Sequence, residues 1–256
     1  MSNLEQTQNM AVKKPIYDNC TMLSPSGEFM CRCDGKRMQF YLRKGIATQI
    51  DDNTFKLNFT PKGFGHDPDS FMGEPKKNMC VICGTKENLT KHHVVPYCYR
   101  VYMPEEYKSG NSFDVLPVCW PDHDAYNEFQ FALDCELQKP FKNMAEEKNS
   151  IGHGVGLCKA LFRFDEMPIE RQTYIYDRLQ EFFSEDDLIL KQPQELLDIM
   201  TKRQQAIPPI PKLVVDSRNL KDFVLMWRQH FLDYTNPEHL SDRWWKEYRH
   251  ALLDGL

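Results

Sequence analysis

Hydrophobic positions change period along this chain. From Thr54 to Phe59 they alternate, with Phe55, Leu57 and Phe59 on one side, which is the period of a strand. Ser24-Pro25-Ser26-Gly27 is a turn signal between two short extended segments. Lys36 to Leu42 reads as a helix that Gly45 stops. Residues 15–65 are therefore expected to be β-rich with one short helix. The polar residues 1–14 are expected to form a disordered tail, and Pro61 to Pro75, rich in Gly, Pro and Asp, a linker.

From about residue 140 the pattern is helical. Ile169 to Phe183 puts Ile169, Tyr176, Leu179 and Phe183 near one face. Gln194 to Gln205 is a further helix, ended by the breaker Ile207-Pro208-Pro209-Ile210-Pro211. Lys221 to Tyr234 and Leu240 to Leu253 supply two more, rich in aromatics. Trp227, Trp244 and Trp245 there offer faces for stacking bases, but packing of helix on helix is the simpler reading. His230 and His250 read as structural or solvated. Ile151-Gly152-His153-Gly154-Val155-Gly156 lacks the lysine and spacing of a phosphate-binding loop and reads as a flexible turn. No internal repeat or low-complexity tract is visible. The expected fold class is α+β. The expected division is a tail (1–14), a β-rich segment with linker (15–75), a metal module (76–139) and a helical region (140–256).

The metal module carries the chemistry. Cys80-Val81-Ile82-Cys83 is followed by Asn88-Leu89-Thr90-Lys91-His92-His93, then Asp114-Val115-Leu116-Pro117-Val118-Cys119, then Asp122, His123 and Asn127. His92 and His93 are adjacent on an expected strand and so point to opposite faces. His123 and Asn127 lie at i and i+4 on an expected helix and face the same way. This order and spacing resembles the HNH (ββα-metal) nucleases with a zinc knuckle around the motif. The resemblance implies His92, His123 and Asn127 as ligands of a divalent ion (Mg²⁺, Mn²⁺ or Zn²⁺) and His93 as general base. It gives Asp114 the place of a residue orienting the His93 ring.

Cys80, Cys83 and Cys119 match three positions of the knuckle, where a structural Zn²⁺ takes four ligands. Asp122 stands at the fourth in place of a cysteine. A carboxylate ligates zinc, but three thiolates with one carboxylate is an unusual set. Cys98 or Cys135 as substitute, or a lost zinc site with its cysteines in the core, stay open. Cys20, Cys31 and Cys33, with Asp34 beside them, form a second group. Completed by His66 or a distant residue it could bind zinc, but the Cys-x-Cys spacing favours a buried apolar cluster.

Composition sets outer bounds. The 256 residues are 41% hydrophobic and 27% charged. No run approaches the roughly 20 apolar residues of a membrane helix, and Met1 to Lys14 has no signal-peptide core. A soluble intracellular protein with reduced cysteines is expected, and no membrane partner. The net charge of −5 is a poor prior for binding nucleic acid.

A wider resemblance rests on Pro15-Ile16-Tyr17-Asp18-Asn19-Cys20, Cys31-x-Cys33-Asp34, Phe40-Tyr41-Leu42-x-Lys44-Gly45 and Trp227-Arg228-Gln229-His230-Phe231-Leu232-Asp233. Together these segments resemble the C-terminal region of the animal 3′–5′ exonuclease domain-containing proteins. The DEDD-type exonuclease domain of that family is expected to be absent here, with no room for it upstream of Pro15, so its activity does not transfer. The expected function is a metal-dependent HNH-type endonuclease acting on DNA or RNA. The alternative is a non-catalytic zinc-stabilised module that binds nucleic acid or protein. A third reading has the helical region bind a protein partner, such as a separate exonuclease subunit.

Overall fold

A computed structural model describes residues 15–63, 65–108 and 113–253; the expected tail over 1–14 lies outside them. The chain is α+β, with a strand-rich N-terminal part and a helical C-terminal half. Its strands are β1 (Cys20–Leu23), β2 (Phe29–Cys33), β3 (Ala47–Gln49), β4 (Thr54–Leu57), β5 (Leu89–His93) and β6 (Val115–Cys119). Its helices are α1 (Gly35–Arg43), α2 (Tyr97–Arg100), α3 (Glu105–Lys108), α4 (Trp120–Gln138), α5 (Lys142–Ala160), α6 (Ile169–Leu179), α7 (Glu185–Leu190), α8 (Pro193–Ala206), α9 (Ile210–Asp216), α10 (Leu220–Thr235) and α11 (Asp242–Leu253). They fall into two compact units. One takes the residues up to Ala132 together with those from Asn219 onward, and the other takes Leu133–Arg218.

In the first unit, four strands form a sheet in the order β2-β1-β4-β3. The β1–β2 hairpin turns at Gly27, whose φ of 93° and amide bond to the Ser24 carbonyl suit the glycine that the sequence places there. Cys20, Met38, Ala47, Phe55 and Leu57 are its core, with α1 supplying Met38. Asp34 caps α1 by accepting from the Arg37 amide. The expected linker over residues 61–75 is tied down. The His66 amide donates to the Met30 carbonyl, and Arg243 on α11 donates to Pro68 and Asp69.

Strands β5 and β6 form a separate antiparallel pair, in which His92 faces Leu116 and His93 faces Val115. The aromatic helices α10 and α11 complete the core beneath it. Trp227 and Trp244 are wholly buried. Trp244 stacks on Phe113 and Tyr248 and donates its indole N–H to the Phe113 carbonyl. These rings are thus committed to packing, as the simpler reading expects.

Among its described residues the second unit holds helices and no strand, with a core of Val155, Leu157, Cys158, Ile175, Leu179, Phe183, Leu196 and Met200. The glycine-rich stretch 151–156, expected to be a flexible turn, instead lies inside α5. A Cβ on Gly154 would come within 2.4 Å of the Met200 Cε and 3.1 Å of the Phe182 ring. Glycine here serves close helix approach, and the apolar contact outweighs its weak helix propensity.

Candidate metal centre

Local backbone chemistry sets the site. Gly84 closes the Cys80–Cys83 turn with φ of 77°. Its bare α-carbon is also needed for space, because a Cβ would meet the His239 ring at 2.5 to 2.9 Å. The knuckle is fixed to the hairpin by the Val81 amide donating to the Pro117 carbonyl, and to the C-terminal segment by the His239 amide donating to the Val81 carbonyl. Asn88 enters β5 in the left-handed region that Asn tolerates, and its carbonyl accepts from Trp120 at the start of α4. Thr90 donates to the Val118 carbonyl across the pair. These contacts bring the knuckle, the hairpin and the first turns of α4 together.

At the knuckle, the ligand atoms of Cys80, Cys83, Cys119 and Asp122 all lie within 4.8 Å of one another. The Cys83 and Cys119 sulfurs are 3.7 Å apart, and Asp122 Oδ2 is 3.1 Å from both the Cys80 and Cys119 sulfurs. With Zn–S bonds of about 2.3 Å, a tetrahedral site has S···S edges of about 3.8 Å, so the donor set fits zinc. Burial raises the Cys80 and Cys119 thiols above their ordinary range. Burial also works to raise the Asp122 carboxyl, but bonds from the Cys83, Cys119 and Cys80 thiols together outweigh it and hold that group low. Asp122 therefore fills the geometric place left open for Cys98 or Cys135.

Among the described residues this is the one cluster of three or more candidate ligands drawn so tightly together. Cys20, Cys31 and Cys33 sit instead on paired strands, with Cys20 opposite Cys33 and Cys31 opposite Met22. Cys20 and Cys31 are buried, and burial followed by the neighbouring sulfurs pushes the Cys33 thiol up to about 12.

The second group gathers where β5 meets α4 and α10. His92 is 2% exposed. Its ring stacks on Phe231 and meets Tyr126 and His123 edge-on, each at 5.2 Å between centroids. His92 Nε2 and His123 Nδ1 are buried without a hydrogen-bond partner. An unmet buried polar atom costs about 1–3 kcal/mol, and a cation bound by both imidazoles would remove that cost. Burial, then His123 and His93, pushes the His92 imidazole down to about 3, which keeps it in the neutral form that ligates metal. Asn127, one turn beyond His123 on α4, is half-buried.

His93 points the other way and is half-buried, with the Tyr97 ring 6.1 Å away. Burial, then Arg100, Lys91 and His123, lowers its pKa and favours the neutral ring. Asp114, expected to orient His93, is turned elsewhere: both its oxygens accept from Arg228 of α10. The planar guanidinium matches the carboxylate at two points, which a single imidazole N–H does not. Sequence reasoning missed Arg228 and Tyr126, whose hydroxyl bonds to His230 Nδ1 at 2.8 Å. The one available signal was that both lie on helices carrying other marked residues.

Compared with curated proteins, the chain is 31% identical over 263 residues to Exonuclease 3′-5′ domain-containing protein 2 of Homo sapiens, a match covering 95% of the chain and 42% of that protein. It is 28% identical over 256 residues to the protein of the same name in Drosophila melanogaster, covering 90% of the chain and 43% of the relative. Protein RRP6-like 3 of Arabidopsis thaliana is 33% identical over 120 residues, covering 46% of the chain and 14% of that protein. The chain thus spans between 40% and 43% of the length of the relatives it matches along nearly all of its own. No family model matches, and no solved structure does. Among the described residues no helix is long and apolar enough to cross a membrane.

Proposed function

We propose that this chain is a metal-dependent endonuclease of the HNH type, with a structural zinc at Cys80, Cys83, Cys119 and Asp122. The observation that carries the reading is the pair of buried, unpartnered imidazole nitrogens on His92 and His123, beside an antiparallel hairpin that runs into α4. A divalent ion held by His92, His123 and Asn127 would polarise a phosphate oxygen and stabilise the leaving group. His93, on the opposite face of the strand and kept neutral, takes a proton from the attacking water. Curated relatives carry the name Exonuclease 3′-5′ domain-containing protein 2, and a nucleic-acid phosphodiester is the substrate class consistent with that name.

The test is cleavage of supercoiled plasmid, single-stranded DNA and RNA in Mg²⁺ or Mn²⁺ by wild type and His93→Ala. Metal-dependent cleavage that falls by about 10²-fold or more in the variant supports the enzyme. Folded, zinc-loaded wild type that cleaves none of the three sinks it. One observation favours a second reading, a non-catalytic zinc-stabilised binding module: Arg228 takes the Asp114 carboxylate that the enzyme would use to orient His93.

A further inference from the structure

The overall charge of −5 hides a local reversal. A cavity of about 370 Å³ opens between the N-terminal sheet and the β5–β6 hairpin. Five cationic side chains line it: Arg32, Arg37, Lys76, Lys91 and Arg100. Its carboxylates, Asp18 and Asp34, are both turned onto the start of α1, where they accept from the Gly35 and Arg37 amides. Lys76 is offset by Glu74 at 3.8 Å and Arg100 by Asp114, so the positive field of the recess comes mainly from Arg37 and Lys91, in a concave wall that focuses it.

The cations differ in what they are free to do. Arg32 is spent on structure, donating to Gly73, Thr21 and Asn19. Lys76 is nearly covered and donates to the Phe71 carbonyl. Arg37 and Lys91 are exposed, one on α1 and the other on β5. Both line the rim of the cavity, where the Arg37 guanidinium also bonds to the Cys31 thiol.

The position of the cavity gives it meaning. Lys91 and His93 are two residues apart on β5 and share a face. Val115, which lines the cavity, is the cross-strand partner of His93. The recess is therefore continuous with the side of the hairpin on which His93 stands, and away from the buried side that holds His92.

We infer that this cavity is a subsite for the sugar–phosphate backbone of a nucleic acid, holding a phosphate next to the one presented to His93, with Lys91 and Arg37 as its main contacts. This rests on the endonuclease reading for its substrate class. The focused charge would let an acidic protein bind a polyanion through one local face. Contacts of this kind are insensitive to base sequence and strongly dependent on salt.

The experiment is a fluorescence anisotropy titration with a fluorescein-labelled single-stranded DNA, using the full zinc-loaded chain without added Mg²⁺ or Mn²⁺. Wild type is compared with Lys91→Gln/Arg37→Gln and with Lys159→Gln/Lys202→Gln, which removes equal charge from exposed positions in the second unit. The rim variant is expected to bind at least about ten-fold more weakly, and its plot of log affinity against log salt to be shallower by about 1.4, the value for two lost phosphate contacts on a single strand. The control is expected to match wild type. Unchanged affinity and slope in the rim variant, an equal loss in the control, or no binding by wild type each overturns the subsite. Cleavage by the same preparations separates the two readings: a wild type that binds through the rim but does not cleave sinks the enzyme alone, and one that cleaves with an intact rim variant sinks the subsite alone.

Discussion

Asp114 and Arg228, 114 positions apart in sequence, form a two-point ion pair, with Nε to Oδ1 at 2.7 Å and Nη2 to Oδ2 at 3.0 Å. The pair ties the start of β6 to α10, and the guanidinium also lies over the Phe113 ring at 4.2 Å from its centre. Asp114 is 4% exposed. Removing its partner leaves a buried carboxylate with Arg100 as its remaining counter-charge and two acceptor sites unmet, which costs far more than the pair itself contributes. Arg228→Ala should therefore destabilise the first unit by about 3–5 kcal/mol. Replacing both residues, as Asp114→Leu/Arg228→Met, should recover most of that loss. Urea unfolding of the three proteins measures it. A loss below about 1 kcal/mol in Arg228→Ala would mean the carboxylate finds water or another donor.

His92 illustrates a conflict between function and stability. It sits among Phe231, Tyr126 and His123 with Nε2 unmet. An apolar side chain of similar size removes that unmet group while keeping the packing. Without added Mg²⁺ or Mn²⁺, His92→Leu should be more stable than wild type by about 1–2 kcal/mol. Adding Mn²⁺ should raise the melting temperature of wild type and leave the variant unmoved, since ligand binding stabilises only the protein that has the site. A variant less stable than wild type in both conditions, with no shift of wild type by Mn²⁺, would refute the metal reading of this pocket.

The knuckle makes a separate demand. Its four donor atoms come from the Cys80–Cys83 turn, the end of β6 and the first turn of α4, so a bound ion staples three chain segments. Metal analysis is expected to find one tightly held zinc per chain, lost in Cys119→Ala. Asp122→Cys should complete a four-thiolate set and hold zinc more tightly in competition with a chelator, whereas Asp122→Ala should release it sooner. Equal retention by all three Asp122 side chains would show that this carboxylate is not a ligand.

How far the sequence was legible follows from the range of the interactions. Strand β4, helix α1 and the glycine turn at Gly27 are set by residues next to one another, and their chemistry is plain in the chain. The opposite faces of His92 and His93 follow from strand alternation, and the gathering of Cys80, Cys83 and Cys119 was expected from the resemblance. Arg228 was not legible. Nothing near it in sequence says that α10 folds back to β6, because an amphipathic helix announces a buried face and not what covers it. The glycines of α5 misled for the same reason. Read locally they suggest a turn, and only Met200 and Phe182 from elsewhere in the chain explain Gly154.

Those glycines make contrasting predictions. Around Gly156 a Cβ would meet nothing within 4 Å, so Gly156→Ala should gain the helix propensity of alanine, about 0.5–1 kcal/mol. At Gly154 a leucine would have to displace Met200 and the Phe182 ring, and overpacking of about 1–3 kcal/mol exceeds any gain in propensity. Thermal unfolding followed by circular dichroism should give opposite signs for the two. Equal shifts would mean that Gly154 is spare.

Tyr17 carries the pH dependence that is simplest to isolate. Its hydroxyl donates to the Val115 carbonyl at 2.7 Å, while its backbone exchanges two bonds with the Asn78 side chain. Burial raises the phenol above its ordinary value near 10. In the alkaline window the native state therefore holds a proton that the unfolded chain has released, so stability is full below about pH 10 and declines above it. Tyr17→Phe should cost about 1–2 kcal/mol at pH 8 through the carbonyl left unpaired. It should also lose stability less steeply than wild type between pH 9 and 11, narrowing the gap between the two. Denaturant midpoints at several pH values give both quantities, and parallel curves would show that Tyr17 is ionised as readily in the folded protein as in the unfolded one.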